Sequence, residues 1–238
     1  MDLSLIRKNI SNSFNCFLDL LYPNLCIACE GRTHGREELF CLSCQYQVHP
    51  TYMEQLKENE FTQHFKGRIP IVAGASLYYY SKGSKVQKAL ELLKYRGEYE
   101  IGIRIGQHFG KLLKSIEAFQ NLDYIIPVPL HPKRKIQRGY NQSAQFAKGL
   151  SDSLACPYRE DILIRTKETI TQTTKNRIER NQNIQSAFQL KRPDLIKGSY
   201  VLLVDDILTT GATLESCALT LQQTEQVAIS MATIAITS

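Results

Sequence analysis

Apolar positions recur along this chain with two different periods, and the changes of period divide it into elements. Near the start, Leu3, Ile6, Ile10, Phe14, Phe17, Leu18 and Leu21 fall at helical spacing, with Arg7, Lys8, Asn9, Ser11, Asn12, Ser13, Asn15 and Asp19 between them. This predicts an amphipathic helix packed on the protein itself, not the unbroken apolar core of a signal peptide. Pro50 to Pro70 is polar, of mixed charge, and reads as a linker. Ile71 to Tyr80 is β-rich, and Ser84 to Leu93 places Val86, Leu90 and Leu93 on one helical face. Lys94-Tyr95-Arg96-Gly97 closes that helix with basic residues and a terminating glycine. A second helix is predicted over Ile101 to Ile116, a strand over Tyr124 to Val128 and a short strand over Asp161 to Arg165. The last unit is the clearest. Val201 to Val204 reads as a buried strand, Asp205 and Asp206 stand at its end, a Thr-Thr-Gly-Ala-Thr turn follows, and Leu214 to Gln223 reads as a helix.

Strands alternating with helices predict an α/β fold with a parallel sheet. In such sheets ligands bind beyond the carboxyl ends of the strands, and the following helix offers its amino terminus to anions. The small residues Thr210, Gly211 and Ala212 let backbone N–H groups wrap a phosphate, with the hydroxyls of Thr209, Thr210 and Thr213 closing it. Asp205 and Asp206 cannot ligate that phosphate; they suit ribose hydroxyls or a magnesium ion. A sugar phosphate with a metal nearby satisfies both halves. The plainer alternative is a buried strand with a polar terminus and a Ser/Thr-capped helix.

Composition narrows the picture without deciding it. The 238 residues can hold one α/β domain and a small appendage, and the net charge of +6 favours anionic ligands without separating nucleotides from nucleic acid. No apolar run approaches membrane-spanning length, and the expectation is a cytoplasmic protein. Seven cysteines leave one over under full disulfide pairing, and four of them form the pairs Cys26/Cys29 and Cys41/Cys44, eleven residues apart. Two such knuckles suit a closed four-sulfur zinc site with a structural role; redox pairs or unrelated buried thiols are the alternatives. His34 is a spare ligand, and Cys16, Cys156 and Cys217 read as core residues.

Three further stretches carry candidate chemistry. Gly106-xxx-Gly110-Lys111 is one residue short of a Walker loop, has Leu112 where Ser or Thr should stand, and lies in a helical pattern; an ATP-binding loop is rejected. Pro127-Val128-Pro129-Leu130-His131-Pro132 follows a strand and leads into Lys133, Arg134, Lys135 and Arg138, with no acidic residue between Asp123 and Asp152. Rigid turns and clustered cations there suit a diphosphate, or else form a solvated basic face. Arg177 and Arg180 are spaced to share a helical face and reach one diphosphate, against the alternative of an exposed polar helix.

The acidic pair and its turn resemble the phosphoribosyl-pyrophosphate (PRPP) signature of type I phosphoribosyltransferases. The order of the CxxC knuckles, Lys94–Gly97, Pro127–Leu130, Arg138-Gly139-Tyr140-Asn141-Gln142-Ser143, the Gln172 to Phe188 segment and the acidic-pair motif resembles the ComF family, phosphoribosyltransferase-like proteins linked to bacterial DNA uptake. The resemblance implies a type I phosphoribosyltransferase-like parallel sheet flanked by helices over residues 71–238, with a variable hood at about 71–100. It implies a four-cysteine zinc module over residues 1–50 and a linker over 51–70. It places Asp205 and Asp206 on the ribose 2- and 3-hydroxyls. Ile207, Leu208, Thr209, Thr210, Gly211, Ala212 and Thr213 fall around the 5-phosphate, and Pro129, Leu130 and His131 beside the pyrophosphate. The implied activity is magnesium-dependent pentosyl transfer from PRPP, with Arg177 and Arg180 screening the departing charge. The alternative is a non-catalytic, PRPP-regulated adaptor for single-stranded DNA or the uptake machinery. Two departures are visible: Thr174-Lys175 where the family often has Gly-Leu, and Ser186 where a Gly precedes the Ala-Phe.

Overall fold

The computed structural model describes residues 24–33, 35, 38–56, 58–95, 97–166 and 187–237. The expected amino-terminal helix with Cys16, and His34, Arg96, Arg177 and Arg180, lie outside them. The chain divides into two compact units, Met1–Gln47 and Val48–Ser238.

The first unit is made of tight turns. Leu25 and Arg32 form an antiparallel bridge, and within it the Cys26 N–H donates to the Gly31 carbonyl at 2.8 Å. The Glu30 N–H donates back to the Cys26 carbonyl at 3.0 Å, which curls the first knuckle. A single helical turn, α1 (Leu42–Gln45), carries the second. Ile27, Ala28, Leu39 and Phe40 are buried beside Cys26 and Cys44.

The second unit contains α2 (Glu60–Gln63), β1 (Gly74–Tyr80), α3 (Lys85–Leu92), α4 (Tyr99–Leu113) and β2 (Tyr124–Pro127). It continues with α5 (Pro132–Arg138), α6 (Gln142–Leu154), β3 (Leu163–Arg165) and β4 (Phe188–Leu190). β5 (Tyr200–Leu208), α7 (Ala212–Leu221) and β6 (Ala228–Thr237) complete it. The main sheet has the order β1-β6-β5-β2, and each of its pairs is parallel. β3 and β4 form a separate antiparallel pair. Parallel neighbours need long crossovers, and helices supply them. Val201 to Val204 are wholly buried, as are Met231, Ala232, Ala235 and Ile236 on the neighbouring strand. Such continuous apolar runs belong to a parallel sheet covered on both faces. The expected α/β architecture with a helix-flanked parallel sheet is the one observed.

The structure redraws several details. β5 runs on through Asp205 and Asp206 to Leu208, because it stays paired with β6 as far as Leu208↔Ile236. The carboxylates therefore stand inside the strand rather than at its end. Residues 74–80, read as part of a hood, form the edge strand of the sheet, paired with β6. Residues 51–70, read as a linker, hold α2 and bury Phe61 and Phe65 completely, their ring centroids 5.6 Å apart. Gly74 is required beneath them: a Cβ there would overlap the Phe61 ring. The Asn59 amide fixes the same corner by donating to the Gly74 carbonyl at 2.8 Å. The turns expected after Pro129 are instead α5, started by Pro132 at its first position and capped by His131. The near-Walker glycines of α4 serve packing: a Cβ on Gly106 would overlap the Phe146 carbonyl of α6, and one on Gly149 the Ile103 carbonyl. The two helices touch backbone to backbone.

Candidate functional site

The parallel register brings the expected site residues to one edge of the sheet. β2 ends at Pro127, which pairs with Val204, so the loop 128–131 leaves the sheet level with the residue before Asp205. Asn141 then ties this loop to the start of α6. Its Nδ2 donates to the Val128 carbonyl at 2.9 Å, while its Oδ1 accepts from the Ser143 N–H at 3.2 Å as the helix cap. The capped end places the Ser143 hydroxyl 2.8 Å from Asp205 Oδ1, to which it donates. The Asp206 N–H donates to the same oxygen at 2.9 Å. Both bonds fall on Oδ1, and the carboxylate is thereby fixed in orientation.

Burial drives the Asp205 carboxyl up to about 8, and the neighbouring charge of Asp206 adds to the rise; the Ser143 hydroxyl, the Asp206 N–H and the Arg165 guanidinium only partly oppose it. Asp206 is also raised by burial, against the pull of Lys94, the Ile207 N–H and Arg138. Arg138 and Arg165 are both lowered by burial and by the like charge of Arg134. The acidic pair therefore sits within a ring of cations drawn from separate elements. Lys94 follows α3, Arg138 ends α5, and Arg165 ends β3. Arg138 is steadied by donating from Nη1 to Gln142 Oε1 at 2.9 Å.

Beyond the pair, Ile207 and Leu208 still belong to β5, and the Leu208 side chain is buried. The turn proper is Thr209 to Gly211, with both threonines exposed. Gly211 caps α7 with φ +75°, a left-handed conformation that favours glycine. A Cβ there would also stand 3.1 Å from the Phe65 ring. Ala212 and Thr213 open the helix, so the turn presents a helix amino terminus beside the acidic pair. Pro129 and Leu130 line a cavity of about 150 Å³ together with Pro127, Asn141, Leu163 and Arg165. His131 acts locally: its Nδ1 accepts from the Lys133 N–H at 3.3 Å.

Sequence reading missed the roles of Ser143, Arg165 and Lys94. Helix capping is reason enough for Lys94–Gly97 in the sequence, yet the Tyr140 hydroxyl shares its proton between the Leu93 carbonyl at 2.6 Å and the Tyr95 carbonyl at 2.7 Å. That bond pins the turn carrying Lys94. The signal was present in the run Arg138–Ser143, whose residue types have no purpose on a plain surface helix.

In the first unit the sulfur atoms of Cys26, Cys29, Cys41 and Cys44 all lie within 4.8 Å of one another, and those of Cys29 and Cys41 are 3.6 Å apart. A tetrahedral zinc–thiolate site, with bonds of about 2.3 Å, has sulfur–sulfur edges of about 3.8 Å. The cluster could hold such a metal ion. Burial pushes the Cys26 thiol up, but hydrogen bonds from the backbone of Cys41, Ala28 and Cys29 outweigh it and bring the group down to about 7. Cys44 in the same cluster moves the other way, pushed up by burial and by the neighbouring thiols of Cys29, Cys41 and Cys26, so the four thiols do not ionise alike. Among the described residues, no helix is long and apolar enough to cross a membrane.

Residues 141–235 match the phosphoribosyl transferase domain family. The chain is 29% identical over 217 residues to Competence protein F of Haemophilus influenzae, covering 79% of this chain and 86% of that protein. It is 36% identical over 96 residues to DNA utilization protein YhgH of Escherichia coli strain K12, covering 40% of this chain and 41% of that protein. It is 27% identical over 139 residues to Competence protein ComFC of Bacillus subtilis, covering 58% of this chain and 54% of that protein. The aligned part thus spans most of the first relative and about half or less of the other two.

Proposed function

We propose, since this chain belongs to the ComF family, that its second unit binds PRPP and transfers the phosphoribosyl group to an acceptor. One observation carries the reading: a carboxylate pair, fixed by Ser143, stands beside a glycine turn that opens a helix at the carboxyl edge of a parallel sheet. Asp205 and Asp206 accept hydrogen bonds from the ribose hydroxyls. Thr209 to Thr213 hold the 5-phosphate through backbone N–H groups and hydroxyls. The loop Pro129–His131 lies beside the pyrophosphate, with Arg138 and Lys94 facing the charge that develops on it, and Arg177 and Arg180 are proposed to join them. Catalysis on this reading is positioning plus electrostatic stabilisation of a departing diphosphate.

The oxygen donors at the site suit a hard cation. Among the described residues, the cysteine set is the one cluster of three or more metal-ligating side chains close enough to share an ion. That fits magnesium carried in by the diphosphate rather than held in a protein cage. Bound there, magnesium neutralises the leaving group's charge. The cysteine cluster is assigned structural zinc, which metal analysis of the purified protein checks through a one-to-one stoichiometry.

Calorimetry with PRPP and magnesium tests the site. Saturable binding that Asp206→Asn abolishes supports it, and no binding by the unmodified protein refutes it. Pyrophosphate release across a panel of bases and amines tests transfer. The relatives' names, competence and DNA utilization, favour a second reading in which PRPP regulates a cytoplasmic adaptor for single-stranded DNA or the uptake machinery. PRPP binding without pyrophosphate release, together with single-strand affinity that falls as salt rises, selects it.

A further inference from the structure

We infer that Arg68 is a positioning residue for the phosphate turn, an inference that rests on reading Thr209–Thr213 as a 5-phosphate site. Arg68 lies in the stretch the sequence presents as a linker, far in the chain from the turn. Its Nη1 donates to the His64 carbonyl at 3.0 Å and to the Thr210 carbonyl at 3.4 Å, and its Nη2 pairs with the Glu215 carboxylate. One guanidinium thus joins the α2 segment, the turn and the first turn of α7. The pair is partly shielded, with the side chains of Arg68 and Glu215 36% and 22% exposed.

Elementary geometry and charge give this contact two consequences. In a trans peptide the C=O and N–H point in opposite directions. Drawing the Thr210 carbonyl toward Arg68 therefore turns the Gly211 N–H the other way, leaving it to an anion on the far side of the turn. Second, Glu215 is an acidic group in the first turn of α7, where its charge competes with a phosphate for the same helix end. The ion pair neutralises it and holds it against Arg68. Phe65, three residues earlier, supports the same turn from below, where its ring meets Gly211. Residues 59–69 are the floor of the phosphate site.

The test compares ribose 5-phosphate, which needs the turn, with pyrophosphate, which does not, each titrated calorimetrically with magnesium. Arg68→Ala is expected to weaken ribose 5-phosphate by about tenfold, the worth of one charge-assisted hydrogen bond, and to leave pyrophosphate unchanged. Adding Glu215→Gln to Arg68→Ala should restore part of the loss, because the unpaired carboxylate is then gone. Arg68→Lys should recover less than the full affinity, since the donors of an ammonium radiate from one nitrogen, whereas these contacts are divided between Nη1 and Nη2. Equal weakening of both ligands, or none for ribose 5-phosphate, overturns the proposal. A ligand-free measurement keeps it separate from the PRPP reading: the Gly211 amide resonance should shift in Arg68→Ala. If the unmodified protein binds no ribose 5-phosphate yet this amide responds, the PRPP reading fails and the positioning role stands. An amide indifferent to Arg68→Ala overturns the positioning role.

Discussion

The two units of this chain are held together by different physics. The described part of the first buries a handful of apolar side chains and gathers four thiols at one point. The second buries continuous runs of Val, Leu, Ile and Ala along β5 and β6, covered by helices. In the described part of the first unit the cysteine cluster is where a metal could add a cross-link to a few apolar contacts, whereas a sheet of this kind draws its stability from burial. On the proposed reading the cysteine cluster serves structure, while the sheet carries a half-buried pair of carboxylates at its carboxyl edge.

The largest expected effect breaks one side of this contrast. On the proposed zinc assignment, removing the metal with a chelator should cost the first unit on the order of 10 kcal/mol of folding free energy, and replacing Cys44 by serine should lower its metal content. Limited proteolysis should then cut within residues 24–47 while the thermal transition of the second unit persists. Simultaneous loss of both would show that the units are not independently stabilised. On the other side, Leu203→Ala should cost about 2–5 kcal/mol by opening a cavity in the sheet, read from urea midpoints, with metal content unchanged. Gly106→Val should cost about 1–3 kcal/mol, because the helix backbones must part.

A further expected effect concerns pH. Asp205 titrates near 8 in the folded protein instead of in the ordinary carboxylate range. Between those values the folded state holds a proton that the unfolded chain has released. Its stabilising contribution is full below the ordinary range and is lost as pH rises through about 8. Asp205→Asn should flatten that decline in urea midpoints measured from about pH 5 to about pH 9.

What the sequence made legible follows the same division. The CxxC spacing pointed to a tetrahedral cluster because two-residue spacing leaves few other geometries. The run Val201 to Val204 identified a buried strand, since a short apolar run with β-branched residues suits the interior of a parallel sheet. The extent of β5 was not legible: pairing with β6 carries it through two carboxylates, and pairing is a non-local property. Residues 51–70 misled for a related reason. Phe61 and Phe65 are isolated among polar neighbours, and only the close approach of Gly74 and Gly211 shows what they pack against. Ser143 illustrates the middle case. Its motif stood out, but its purpose depends on a distant strand, with Ser143 and Asp205 separated by 62 positions.

The two bonds on Asp205 Oδ1 also imply a proton inventory. With Ser143 and the Asp206 N–H both donating to that oxygen, the proton of the neutral carboxyl resides on Oδ2. A sugar hydroxyl that meets Oδ2 can accept from that proton, or can donate to the oxygen once the carboxyl has ionised. The two modes differ in one observable: where the carboxyl ionises on binding, the measured heat depends on the ionisation enthalpy of the buffer that receives the proton, and where it keeps its proton the heat does not. Calorimetry in two buffers of different ionisation enthalpy tells which mode the site uses.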